Sequence, residues 1–148
     1  MDEQRFKEVI QFAIQRERES VDFYNRASRI AKFSGTQELF LDFARQEEGH
    51  RKLLQDLDMD KLDKARIEAV PDLKISNYMT DVELTPDSSY AEILRAAMKR
   101  EEQSVKLYTA LEEPTTDPDL KKLFTFLAGE ESKHKFKLEK IYDDEILK

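Results

Sequence analysis

Apolar residues recur along most of the chain at alternating spacings of three and four, with charged residues between them. That spacing marks one face of an amphipathic α-helix. The pattern predicts four long helices: from about Asp2 to about Lys32, from near Ser34–Thr36 to about Asp58, from Ser89 to before Pro114, and from Asp117 to about Asp144.

Two of the predicted helix starts carry a local signal. Ser89 and Glu92 have the spacing of a capping box, in which each side chain bonds the backbone N–H of the other residue. Asp117 is followed directly by Pro118, which is the favoured order of an N-cap acid and a first helical residue. These signals set the beginnings of the third and fourth helices.

The stretch from about 59 to 88 lacks a strong period and contains Pro71 and Pro86. A connection of this length is unusual between neighbouring antiparallel helices. It can instead cross the length of a bundle, so that the third helix begins at the opposite end. We therefore predict an all-α fold in one domain over residues 1–148, in which two helical hairpins joined by a long crossover form a four-helix bundle. The crossover contains apolar residues that would cover the bundle or a dimer interface: Leu62, Ile67, Val70, Leu73, Ile75, Tyr78 and Met79.

An internal repeat supports two related hairpins. Displacing the sequence by 84 positions aligns 13 identical residues between positions 8 and 54 and their counterparts, without a gap. Glu17 then coincides with Glu101, and Tyr24 with Tyr108. The unit is too long for a solenoid repeat and occurs only twice, so a duplicated hairpin fits better.

Composition narrows the class of protein. The chain has 148 residues and a net charge of −7, which argues against nucleic acid or an anionic membrane as its main partner. It has no cysteine, so disulfides, cysteine zinc sites and iron–sulfur clusters are excluded. No apolar run approaches the roughly 20 residues of a membrane-spanning helix, and no signal peptide is evident at the N-terminus. We expect a soluble cytoplasmic protein.

Each predicted helix interrupts its apolar seam near the middle with an acid. Two helices carry Glu alone and two carry Glu-x-x-His, which places six polar residues at one level of the core: Glu17, Glu47, His50, Glu101, Glu131 and His134. Burying one carboxylate costs several kcal/mol. Arg16 and Arg100 adjoin two of the acids but point about 100° away around the helix. The flanking acids Glu48, Glu102 and Glu130 lie off the seam and are expected at the solvated surface.

Two divalent cations would balance four buried carboxylates. Residues three apart share a helix face, so each Glu-x-x-His can offer an oxygen and a nitrogen to neighbouring ions. A ligand set of oxygen and nitrogen suits iron or manganese, and zinc can compete. Which carboxylates would bridge the ions stays open at this point. The alternative is a polar layer that hydrogen-bonds internally and only fixes the register of the helices.

At these residues the sequence resembles the ferritin-like superfamily, and most closely its rubrerythrin-related di-iron domains. The resemblance is carried by the segments 13–24 and 43–50 and their counterparts 97–108 and 127–134. It implies that the six seam residues are the metal ligands. It also implies that Tyr24 and Tyr108 donate hydrogen bonds to ligand carboxylates, although both could be ordinary core aromatics.

The resemblance further implies a pair of iron ions and an oxidoreductase that reduces hydrogen peroxide or dioxygen. Two departures bear on this. The chain lacks the cysteines of the rubredoxin iron site, so electrons would come from an external donor protein, and Ser104 stands where peroxidase-type members carry an additional Glu. Alternatives are a ferritin-type protein that oxidises and stores iron, or a structural bundle with a decayed site. We expect a homodimer rather than a cage.

Overall fold

The computed structural model describes residues 2–62, 64–68, 70, 73–78 and 84–147. These residues contain five α-helices: α1 (Glu3–Ile30), α2 (Ser34–Gln55), α3 (Lys64–Glu68), α4 (Tyr90–Glu112) and α5 (Pro118–Glu145). Short 3₁₀ turns lie at Met59–Lys61 and Ile75–Tyr78. The described residues contain no strand, which confirms the all-α prediction. No helix among them is both long enough and apolar enough to cross a membrane.

The helix starts follow the sequence signals. The Ser89 hydroxyl accepts from the backbone N–H of Glu92 at 3.1 Å, and the Glu92 carboxylate accepts from the N–H of Ser89 at 3.1 Å. This is the predicted capping box. Asp117 caps α5 by accepting from the N–H of Leu120 at 3.1 Å, and Pro118 takes the first helical position. Each cap satisfies backbone donors that have no partner inside the helix.

Two helical hairpins make the bundle, with α1 packed on α2 and α4 packed on α5. One apolar cluster joins the beginnings of α1 and α5 to the ends of α2 and α4; it includes Phe6, Ile10, Leu54, Leu111 and Phe124. A second cluster fills the other end; it includes Phe23, Phe40, Phe43, Leu94 and Leu138. Helices α1 and α5 are therefore parallel to each other and antiparallel to α2 and α4.

The connection from α2 to α4 runs the length of the bundle, as predicted. Ile67 on α3 is buried in the first cluster, whereas Leu84 packs against the second. Val70 is also buried, and Leu62, Leu73, Ile75 and Tyr78 pack partly buried against the first cluster. The apolar crossover residues thus cover their own bundle; Met79 lies outside the described residues. Helix α3 was not predicted, because five residues are too few to show a helical period.

Candidate metal centre

A polar layer separates the two apolar clusters. Six acidic and histidine side chains meet in it, and none is more than 4% exposed. Helices α1 and α4 contribute one Glu each, while α2 and α5 contribute a Glu and a His each: Glu17, Glu101, Glu47, His50, Glu131 and His134. The structure therefore brings together all six residues that the seam pattern singled out.

The first half of this layer is centred on His50. Its Nδ1 atom lies 3.0 Å from a Glu131 oxygen, 3.7 Å from Glu47 and 3.8 Å from Glu17. One ligand atom from each of these four residues lies within 4.8 Å of the others. A single cation could contact all four.

The second half is centred on His134. Its Nδ1 atom lies 3.1 Å from Glu47, 3.4 Å from Glu101 and 4.0 Å from Glu131. These four residues also offer ligand atoms within 4.8 Å of one another. Glu47 and Glu131 belong to both groups, so they are the carboxylates placed to bridge two cations. Sequence spacing had left that assignment open.

Two tyrosines hold the carboxylates that belong to one group only. The Tyr24 hydroxyl donates to Glu101 at 2.6 Å, and the Tyr108 hydroxyl donates to Glu17 at 2.6 Å. Burial, together with the neighbouring carboxylates, raises the pKa of both phenols well above their usual range. Both hydroxyls therefore keep their protons and remain donors. Each leaves the second oxygen of its Glu facing no protein donor.

Apart from the close contacts between the histidines and the carboxylates, the atoms that face the centre of the layer make no hydrogen bond with the described residues. They are Oε2 of Glu17 and Glu101, both oxygens of Glu47 and Glu131, and Nδ1 of both histidines. Buried polar groups are nearly always paired, so a cluster of unpaired acceptors requires an explanation. Bound cations supply it, because every one of these atoms can act as a metal ligand.

The same layer is electrostatically unfavourable in the absence of cations. Burial raises the pKa of Glu17. Burial and the neighbouring carboxylates raise the pKa of Glu47 and Glu131 well above the usual range. Close acids in a dry environment hold protons that cations would displace.

Within the described part of the chain, no Lys or Arg forms an ion pair with the four carboxylates. Arg16 is buried but pairs with Glu19 at 3.1 Å. Arg100 donates to the Ser20 hydroxyl at 3.3 Å and lies over the Phe23 ring, 5.2 Å from its centroid. The arginines next to the site in sequence therefore do not neutralise it, as their helical angle predicts.

The flanking acids are surface charges. Glu48 pairs with Arg51, and Glu102 pairs with Lys106. Glu130 pairs with Lys133 at 3.1 Å.

The donor atoms of the polar layer are oxygen and nitrogen without sulfur, which makes iron, manganese and zinc suitable ions. The six residues thus fit a pair of divalent cations.

The rubrerythrin family model matches residues 8–142. The chain belongs to the rubrerythrin family. Its structure is also similar to the crystal structure of a proposed ferritin-like diiron-carboxylate protein from Thermotoga maritima. The TM-score is 0.74 at 21% sequence identity, over 90% of this chain and 91% of the other. That likeness confirms the ferritin-like fold. No curated protein matches this rubrerythrin-family sequence.

Two residues behind His134 were not predicted from the sequence. The Gln46 amide oxygen lies 2.7 Å from His134 Nε2, and the Gln46 amide nitrogen donates to Asp42 at 2.8 Å. Both residues are on α2, one turn apart, whereas His134 is on α5. The one signal in the sequence is that Gln46 directly precedes Glu47. That signal is weak, because a polar residue next to a buried position is common on the surface of a helix.

Proposed function

We propose that this rubrerythrin-family protein binds two iron ions and is an oxidoreductase that reduces hydrogen peroxide or dioxygen. Manganese and zinc are alternative occupants with the same donor chemistry. The observation that carries the proposal is the cluster of buried, unpaired ligand atoms in two overlapping groups. Membership of the family supports iron as the native metal.

In this proposal the six residues divide into three roles. Glu47 and Glu131 would be shared by the two ions, because each belongs to both groups. Glu17 and His50 complete one position. Glu101 and His134 complete the other position. Each of these four residues would therefore contact only one of the two ions.

The protein contributes position and environment. Tyr24 and Tyr108 hold one oxygen of Glu101 and Glu17, which leaves the second oxygen free. The apolar clusters above and below keep bulk water from the layer. When bound, a pair of iron ions would supply Lewis acidity and electrons for cleavage of the O–O bond. A separate electron-donor protein would supply the electrons and the solvent the protons: two of each reduce hydrogen peroxide to two water molecules, and four of each do the same for dioxygen.

The test is anaerobic loading with ferrous iron, followed by a pulse of hydrogen peroxide or of dioxygen. We expect about two iron ions to bind per chain. We also expect the bound ferrous iron to be oxidised after the oxidant is added. The response to the two oxidants distinguishes a peroxidase from an oxidase. Glu47→Gln should lose iron and the response, whereas Glu48→Gln makes the same change one residue away at the surface and should keep both. A loaded wild-type protein that reacts with neither oxidant would refute the redox function.

The homodimer expected from the sequence is part of the proposal. Light scattering coupled to size exclusion measures the mass of the assembly in solution. A dimer agrees with the oxidoreductase, whereas a shell of many subunits that takes up far more iron than its ligand sites hold would favour ferritin-type storage.

A further inference from the structure

The two histidines of the candidate metal centre differ in what holds them. The His134 ring stacks on Phe43, with centroids 4.1 Å apart, and its Nε2 atom contacts the Gln46 amide oxygen at 2.7 Å. The His50 ring has no phenylalanine stacked on it among the described residues: its centroid lies 6.2 Å from that of Phe126, which is 48% exposed and nearly perpendicular, and 6.3 Å from that of His134 itself. The centre is therefore asymmetric around ligands that the repeat makes equivalent.

Asp42 determines which way the Gln46 amide faces. An ionised carboxylate only accepts hydrogen bonds, so the atom of Gln46 that lies 2.8 Å from Asp42 is the NH₂ group. The amide oxygen then faces His134. Since an amide oxygen only accepts, His134 Nε2 must carry the proton. A histidine binds a metal through an unprotonated nitrogen, and with the proton on Nε2 that nitrogen is Nδ1, the atom facing Glu47 and Glu101.

The other hairpin lacks this arrangement. Under the 84-residue displacement, Asp42 corresponds to Phe126 and Gln46 corresponds to Glu130. Glu130 pairs with Lys133 at 3.1 Å, and within the described residues His50 Nε2 makes no hydrogen bond like the one that His134 Nε2 donates to Gln46. Duplication thus preserved the six ligands but not the chain of bonds behind them.

We propose that Asp42 and Gln46 are positioning residues that hold His134 with Nδ1 toward the metal centre. As a result, the position of Glu101 and His134 binds its ion more tightly than the position of Glu17 and His50. Outer hydrogen bonds of this kind fix the tautomer of a ligand histidine and increase its basicity, and their loss costs about 10–100-fold in metal affinity. The inference rests on metal binding under the proposed function, and it does not depend on the redox reaction.

The experiment is an anaerobic titration of the metal-free protein with Co²⁺, followed by its visible absorption and by proton NMR. We expect two binding steps in the wild type. Gln46→Leu should weaken the tighter step by about 10–100-fold and leave the weaker step unchanged. The double variant Asp42→Asn with Gln46→Glu keeps an acceptor for His134 and an amide donor behind it, and should restore the tighter step. Asp42→Ala alone should cause a smaller loss in that same step.

The NMR spectrum tests position apart from stability. At one equivalent of Co²⁺, a paramagnetically shifted, solvent-exchangeable imidazole N–H should be visible, because the bond to Gln46 protects it. That signal should disappear in Gln46→Leu and persist in Glu130→Leu, the matched change in the other hairpin. Circular dichroism of the metal-free variants checks that both remain folded.

The outcomes separate the two proposals. If the wild type binds no Co²⁺, the metal centre itself is wrong. If the wild type binds two ions, and Gln46→Leu binds both with unchanged affinity or weakens both steps equally, only the positioning role is overturned.

Discussion

The hydroxyl of Tyr24 on α1 donates to Glu101 on α4 at 2.6 Å. In the opposite direction, the hydroxyl of Tyr108 on α4 donates to Glu17 on α1 at the same distance. This reciprocal pair ties the two hairpins together at the polar layer. It also orients both carboxylates, since only one oxygen of each is left without a donor.

Replacing Tyr24 by Phe should therefore disturb both the fold and the metal centre. The change strands a buried carboxylate oxygen, which costs about 1–3 kcal/mol in the free energy of unfolding. Urea unfolding of the metal-loaded protein measures the loss. Tyr142→Phe is the control, because the Tyr142 hydroxyl accepts from Arg95 at an exposed site. Equal losses in both variants would contradict the orienting role.

Glu131→Gln should act in opposite directions on the two forms of the protein. In the metal-free form it removes a buried carboxyl that holds a proton which the unfolded chain has released at neutral pH, and we expect a gain of about 1–4 kcal/mol in the free energy of unfolding. In the metal-loaded form it removes a bridging ligand, so the metal content should fall. Thermal unfolding and elemental analysis measure the two effects.

Glu130→Gln makes the same chemical change at the adjacent, solvent-facing position. It should leave both the metal content and the stability of the metal-free form nearly unchanged. Full metal occupancy in Glu131→Gln would show that the ligand assignment is wrong.

The metal-free protein should lose stability as the pH rises. Burial raises the pKa of Glu17, Glu47 and Glu131, so the folded state keeps protons that the unfolded chain releases above its ordinary pKa of about 4.3. The free energy of unfolding then falls by about 1.4 kcal/mol per pH unit for each proton that only the folded state retains. Below that ordinary pKa both states are protonated, and the loss disappears.

Thermal unfolding of the metal-free wild type between about pH 5 and pH 8 measures this slope, with Glu47→Gln as the comparison. The variant should show a shallower slope, because it has one carboxyl fewer to deprotonate. Metal binding should strengthen over the same range, since the ligands must release protons to bind. If the stability of the metal-free protein instead rises toward pH 8, with the same slope in the wild type and in Glu47→Gln, the buried acid cluster would be contradicted.

Most of the fold could be predicted from the sequence because its signals are local. The capping box at Ser89 and the Asp117–Pro118 start act within one turn, and the apolar seam repeats over many turns. The six polar residues were recognisable because they interrupt that seam at one level in each helix. Helix α3 was missed because its one buried residue, Ile67, is held by contacts with the bundle rather than by a periodic pattern.

Finer features of the site depend on distances between helices. Sequence spacing cannot tell which carboxylates face both histidines, and the structure assigns that place to Glu47 and Glu131. The hydrogen bond that His134 donates to Gln46 joins residues 88 positions apart, on α5 and α2. A polar residue at the edge of a helix acquires meaning only once its neighbour across the bundle is known.

The most direct test is an anomalous difference map from crystals of the iron-loaded protein, measured on both sides of the iron absorption edge. We predict two peaks inside the bundle, both in contact with Glu47 and Glu131, one beside His50 and the other beside His134. Fully loaded crystals without density between these side chains, or with iron bound only at the protein surface, would contradict the account.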